Sequence, residues 1–311
     1  MSAEQFAYGA FLTGFGLTAV ASVAYVALAV WPRLAYRSAA TDTGATMTVS
    51  SDAGAPAWLG PLATAMTWLA IAVLTTSLAG RWVAAGRPPY ANMFEFTIGF
   101  GWAMLLFYAL FEWRALHRVA GDLIDEPSSG SRQVGAFLVP VSLALFAVAL
   151  AFFPRELRPL IPALQANRIL GAHVATIMLS YAALSVSFGA AVAYLLQGEH
   201  RRLPGLPSSE TLEEIANRSV LIGFPMLTLG ITLGAFWGYS AWGRYWGWDP
   251  KETSALMTWL VYSGYLHARN LRGWKGRGAA WLLVVGFAAV LFTYFAVNLW
   301  VSGLHSYAGV D

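Results

Sequence analysis

The chain has 311 residues, 58% of them hydrophobic and only 11% charged, with a mean hydropathy of +0.56. A soluble domain carries roughly 25% charged residues, and a globule of this length cannot hide so much apolar surface in one core. The net charge of +3 comes without any compact basic domain, which argues against nucleic acid, and the absence of cysteine excludes disulfides, thiolate metal sites, iron–sulfur clusters and thiol chemistry by this chain.

Apolar runs long enough to cross a bilayer as helices recur along the sequence, so the chain reads as an all-α polytopic membrane protein forming a single integral membrane domain over 1–311. Eight spans are expected, at about 8–30, 58–80, 94–113, 134–153, 169–197, 219–236, 253–268 and 279–301. The first follows a lead-in with Glu4 and no basic region, the pattern of a retained helix rather than a cleaved signal peptide. Residues 31–57, rich in Ser, Thr, Gly and Ala, read as a flexible cytoplasmic linker. Span three is preceded by Pro88, Pro89 and Tyr90; Asn92 suits its cap, and the helix macrodipole accounts for Glu95. Pro159 and Pro162 make 155–167 an irregular external loop.

Between spans six and seven lies the most unusual segment. Seven of the thirteen residues at 236–248 are aromatic, among them Trp237, Trp242, Trp246 and Trp248. An interfacial aromatic belt explains single tryptophans. This density, with Gly238, Gly243 and Gly247 interspersed, also suits a platform for a flat aromatic ligand such as a porphyrin. Asp249, Pro250 and Glu252 follow as N-cap, N1 and N3 of a capping box that starts span seven. Lys251 and Arg244 are candidates to meet anionic groups of such a ligand. In span eight, the buried Asn298 needs a partner on another helix.

Lys and Arg divide twelve to seven between alternate loops, which puts both termini and the aromatic segment outside the cytoplasm. Of the five histidines, His173 at the start of span five and His305 just past span eight then share that outer side. Neutral imidazole ligates haem iron well, and two can fill both axial positions. His267 stands apart, seventeen residues beyond Pro250 and about 26 Å along the helix, near the cytoplasmic end. His117 and His200 sit in charged loops and read as solvated surface.

The run from Trp237 to Glu252, continuing through Trp259, Tyr265 and His267, resembles the WWD domain of haem-handling proteins. It is most similar to the CcsA/ResC family of cytochrome c maturation (System II). Asn92-Met93-Phe94-Glu95, His173 with Ser180-Tyr181-Ala182, and Gly303-Leu304-His305-Ser306-Tyr307-Ala308 support it in the family's order. Gly238, Gly247 and Ser254 depart from the larger residues common in the family.

The resemblance implies eight helices in the cell membrane with an outer WWD loop at 236–252. It implies haem b as bound substrate, His173 and His305 as outer axial ligands, and Trp237, Trp242, Trp246, Trp248 and Asp249 around it. His267 would be an intramembrane haem ligand, completed by a histidine of a ResB-type partner subunit. The implied function is haem transport across the membrane and presentation for thioether attachment to the Cys-X-X-Cys-His motif of apocytochrome c. The chain would act within a cytochrome c synthase (haem lyase) complex, with no catalytic side chain of its own, and thioredoxin-like thiol reductants would take part indirectly. A haem exporter or chaperone without ligation, a b-type electron-transfer protein and a purely structural aromatic belt remain as alternatives.

Overall fold

Apolar side chains on every face of a helix leave the bilayer as its solvent, and internal hydrogen bonds are then the only way to satisfy the backbone. The computed structural model follows this rule. It describes residues 2–43, 54–116, 129–157, 164–165, 168–197 and 206–305, and no strand occurs among them. The helices are α1 (Ala3–Thr43), α2 (Leu59–Ala85), α3 (Met93–Leu116), α4 (Ser129–Phe152), α5 (Arg168–Gln197), α6 (Ser209–Trp242), α7 (Pro250–Arg272) and α8 (Arg277–Leu291). A π-helical turn, Phe292–Ala296, and the short α9 (Val297–Leu299) prolong α8.

Seven of these helices are long and apolar enough to cross a membrane, the seventh comprising α8 with its extension, Arg277–Leu299. The exception is α7, at the place of the seventh expected span. Its 23 residues suffice in length, at about 1.5 Å each, but Ser254, Thr258, Ser263, His267 and Arg269 lower its hydropathy. Two of its hydroxyls bond back to its own carbonyls, Ser254 to Lys251 and Thr258 to Ser254, which satisfies them without water.

Two boundaries differ from the sequence reading. Residues 31–43, taken as the start of the linker, continue α1 as helix. The aromatic segment is not one loop: Phe236 to Trp242 form the last turns of α6, Gly243 with φ 72° ends that helix in the left-handed region, and only Gly243 to Asp249 lie between helices.

Helices α1 to α4 form one group, and α5 pairs most extensively with α6 in the other. Glycine makes that pair close. A Cβ on Gly223 would stand 2.8 Å from Leu184, one on Gly230 2.5 Å from Ile177 and one on Gly234 2.7 Å from His173. Small residues on one helix face let two backbones approach, the main packing device between helices in lipid.

Both ends of α3 carry a buried carboxylate. At its start Asn92 Oδ1 accepts from the Glu95 N–H at 2.9 Å, the expected cap. Glu95 itself does more than face the helix dipole. It is fully buried between Arg81 at 2.9 Å and Arg87 at 3.0 Å, and accepts from the Ala91 N–H at 2.8 Å. At the other end Glu112 accepts from Tyr25 of α1 at 2.5 Å, Tyr108 at 2.6 Å and Thr64 of α2, with Arg132 of α4 at 3.6 Å. These knots fix the first four helices, and with them the α3 wall of the cavity described next.

Candidate functional site

A cavity opens where α3, α5, the end of α6, the start of α7 and the extension of α8 converge. It contains about 790 Å³ of space, part of it open to the surroundings. Apolar side chains such as Phe96, Phe100 and Ile177 make most of its wall, and His173, Tyr181, Trp237, Lys251, Asn298 and His305 supply its chemistry.

His173 reaches this cavity from the first turns of α5. Its Nδ1 lies 2.7 Å from the Gly230 carbonyl oxygen of α6. A carbonyl only accepts, so Nδ1 carries the proton and the lone pair is on Nε2. Gly234 makes the seat for the ring, since the nearest point on the imidazole is 2.7 Å from where a Cβ would stand. Trp237 stacks beside it, with centroids 6.3 Å apart and planes 12° from parallel.

His305 arrives from the far end of the sequence and is held the same way. Its Nδ1 is 2.8 Å from Asp249 Oδ2, and the Leu304 N–H donates to Asp249 Oδ1 at 2.6 Å. Gly303 makes this approach possible, because a Cβ there would stand 2.5 Å from Asp249 Oδ1. Trp242 meets the His305 ring edge-on at 4.9 Å, and Trp237 lies 5.7 Å away, so Trp237 touches both histidines. Burial pushes the His305 pKa below the usual histidine value, against the opposing pull of Asp249, which leaves the imidazole neutral at pH 7. Burial works against the Asp249 carboxylate, but the hydrogen bonds from His305, Leu304 and Lys251 prevail and hold its pKa below the ordinary value.

Asp249 fills the expected N-cap position as well. Its side chain accepts from the Lys251 N–H at 3.0 Å, Pro250 follows at N1, and Glu252 completes the capping box by accepting from the Asp249 N–H at 3.1 Å. Glu252 also takes the Gly247 N–H at 2.8 Å, which ties the loop to the helix it precedes. Trp248, at φ 56° in the left-handed region, sits between these anchors.

The four tryptophans separate. Trp237 lines the cavity, and Trp242 packs against Trp237 at 69° and against His305 at 71°. Trp246 and Trp248 do not line the cavity; they pair edge to face at 5.8 Å, Trp248 being exposed. Within each of these two pairs the ring planes are steeply inclined, 69° for Trp237 and Trp242 and 90° for Trp246 and Trp248. His267 does not join the pair either: it lies on an exposed face of α7. His117 and His200 fall outside the described residues.

Sequence reasoning left three contributors without a role. Gly234 carries no signal of its own beyond its spacing from Gly230. Tyr181 and Tyr294 line the cavity from spans that read as uniformly apolar. Asn298 does find its partner on another helix, Lys251 of α7, whose Nζ donates to its Oδ1 at 2.7 Å.

Helices of this number, length and hydropathy define a multi-pass membrane protein, and its distinctive chemistry is a pair of anchored imidazoles converging on one cavity. The profile of the cytochrome c assembly protein family matches residues 63–305. Cytochrome c biogenesis protein CcsA of Synechococcus elongatus is 37% identical over 305 residues, covering 82% of this chain and 88% of its own length. The CcsA of Microcystis aeruginosa is 37% identical over 303 residues, with 80% and 87% covered, and that of Chlamydomonas reinhardtii is 37% identical over 243, with 76% and 65% covered. The chain belongs to the CcsA family of cytochrome c assembly proteins. Its fold is also that of the solved cytochrome c haem lyase CcmF, with a TM-score of 0.64 at 18% identity over 95% of this chain and 47% of the other.

Proposed function

We propose that the chain holds haem between His173 and His305 on the extracytoplasmic side and presents it to apocytochrome c for thioether attachment. The observation that carries this reading is the matched pair of imidazoles, each with Nδ1 bound by a protein acceptor and its lone pair on Nε2. A carbonyl or carboxylate behind the second ring nitrogen is the usual support of a metal-ligating histidine. No group of three or more metal-ligating side chains occurs among the described residues. Two imidazoles alone suit an iron whose other four ligands come from a porphyrin.

The chemistry asks little of the protein beyond placement. Each substrate thiol adds across a haem vinyl group: sulfur bonds one vinyl carbon, the thiol proton ends on the other, and nothing is oxidised. His173 and His305 fix the ring while Trp237 packs against both imidazoles, so the reacting edge meets the thiols in one geometry. The substrate's own histidine then replaces one protein ligand. Thioredoxin-like reductants keep the substrate thiols reduced.

In this reading α7 also crosses the membrane, which makes eight spans, and both termini lie outside. The pairing of Arg81 and Arg87 with Glu95 favours that orientation, since it removes two of the seven opposing charges as free topology signals. His267, exposed on α7, then ligates haem with a histidine from a ResB-type partner, and this inner site feeds the outer one.

The test is the visible spectrum and product of the chain co-expressed with a ResB-type subunit and a Cys-X-X-Cys-His reporter. A bis-imidazole spectrum and covalent reporter haem are expected, with reporter haem lost in both His173→Ala and His305→Ala. Haem delivered without thioether bonds would favour the exporter instead, and an absent Soret band would leave only the structural belt. Gly234→Ala, whose Cβ would press on Cε1 and Nδ1 of the His173 ring at 2.7 and 2.9 Å and so displace it, should lower haem retention about tenfold, as loss of ligand support commonly does.

A further inference from the structure

Lys251 carries a charge the cavity does not answer. It is the only cation among the described residues that line the cavity, and no carboxylate is among that lining. Its Nζ donates to a neutral oxygen, Asn298 Oδ1, at 2.7 Å. That amide is fixed in turn, because Asn298 Nδ2 donates to the Tyr294 carbonyl at 2.5 Å and so turns its oxygen toward the lysine. The nearby carboxylate of Asp249 is taken by Leu304, His305 and the Lys251 N–H, and forms no ion pair with Nζ. An ammonium has three donors and is costly to place in a mostly apolar cavity without an opposite charge.

We infer that Lys251, positioned by Asn298, is the carboxylate-binding residue of this cavity, so that it selects a porphyrin bearing free carboxylates and sets its orientation. The inference rests on the haem reading above and deepens it. Lys251 is in the first turn of α7, and its partner Asn298 lies seven residues before His305 on the helix that leads back into the membrane. The charge therefore sits where α7 begins, beside the Asp249 that holds His305. Haem carries its two carboxylates on the edge opposite its two vinyl groups. Drawing the carboxylates to Lys251 turns the vinyl edge away from it, toward the substrate thiols. A porphyrin bound the other way round would keep both axial ligands and be unreactive, so the lysine converts binding into productive binding.

The test compares haem with its dimethyl ester, in which both carboxylates are blocked, as ligands of the full-length chain with its partner subunit. Wild type is expected to bind haem about tenfold more tightly than the ester, the worth of one charge-assisted hydrogen bond. Lys251→Gln should remove that preference by weakening haem alone, with the bis-imidazole spectrum retained, and Lys251→Arg should restore it. Equal affinity of wild type for the two ligands overturns the inference without any variant, as does a Lys251→Gln protein that loses both ligands equally. A wild type that binds neither, or binds without a bis-imidazole spectrum, overturns the haem reading itself and this inference with it.

Discussion

Replacing Glu95 with alanine is expected to destabilise the protein by about 3–5 kcal/mol, the cost of removing one partner from a buried ion pair. The carboxylate is wholly enclosed, and Arg81 and Arg87 bond its two oxygens separately. Without it Arg81, itself 2% exposed, is left with its charge buried, and Arg87 loses the carboxylate oxygen that its Nη1 meets. The damage would spread, since Arg81 also donates to the Arg155 carbonyl at 3.0 Å and Asn92 Nδ2 to that of Glu156 at 3.3 Å. These bonds join the end of α2, the start of α3 and the segment after α4. Met93, next to this knot, lines the cavity, so haem retention should fall together with the unfolding midpoint in detergent. Glu95→Gln keeps the shape and loses the charge, and should fall between alanine and wild type. Substituting all three residues by apolar ones of similar size should cost far less than Glu95→Ala alone, because a buried ion pair contributes little net stability but its half-removal is severe. A Glu95→Ala protein with an unchanged midpoint would show that the arginines find other partners.

What the sequence disclosed depended on how local the cause was. Apolar runs are local, and lipid demands them along a whole helix, so seven expected spans coincide with membrane-capable helices. The capping box at Asp249 was legible because four consecutive residues make it. The bond from Asp249 to His305 was not, since it joins residues 56 apart and neither neighbourhood carries a trace of it. Glu95 misled in the opposite way. The local rule for an acidic residue in a first turn explained it fully, and the two arginines that bury it lie outside that helix. The aromatic segment read as loop because glycine marks turns. Gly238, however, lies inside α6, where a Cβ would meet Arg244 and Trp242 at ordinary contact distance, and of the segment's three glycines only Gly243 has the positive φ that ends a helix.

Asp249→Asn and Asp249→Ala should separate the two tasks that meet at this carboxylate. Asparagine caps a helix as well as aspartate does, so Asp249→Asn is expected to keep α7 and to leave the unfolding midpoint close to wild type. Alanine removes the cap, at about 1 kcal/mol, together with the acceptor of the Leu304 N–H and of His305. The asparagine variant should still be impaired in holding haem. Aspartate accepts on both oxygens, from Leu304 on Oδ1 and from His305 and the Lys251 N–H on Oδ2. An amide presents one oxygen and one NH2 group, so one of these two sides meets a donor in place of an acceptor. Haem retention by the full-length chain should therefore drop about tenfold in Asp249→Asn and about a hundredfold in Asp249→Ala, the range seen when support behind a metal-bound histidine is lost. The haem reduction potential should rise in Asp249→Asn, because a neutral acceptor leaves the imidazole a weaker donor to ferric iron than a carboxylate does. His173, backed by a carbonyl, already lacks that charge, so the two imidazoles are held by unequal acceptors. Wild-type retention and potential in Asp249→Asn would mean that His305 is held by packing against Trp237 and Trp242 alone, and that the carboxylate serves the helix only.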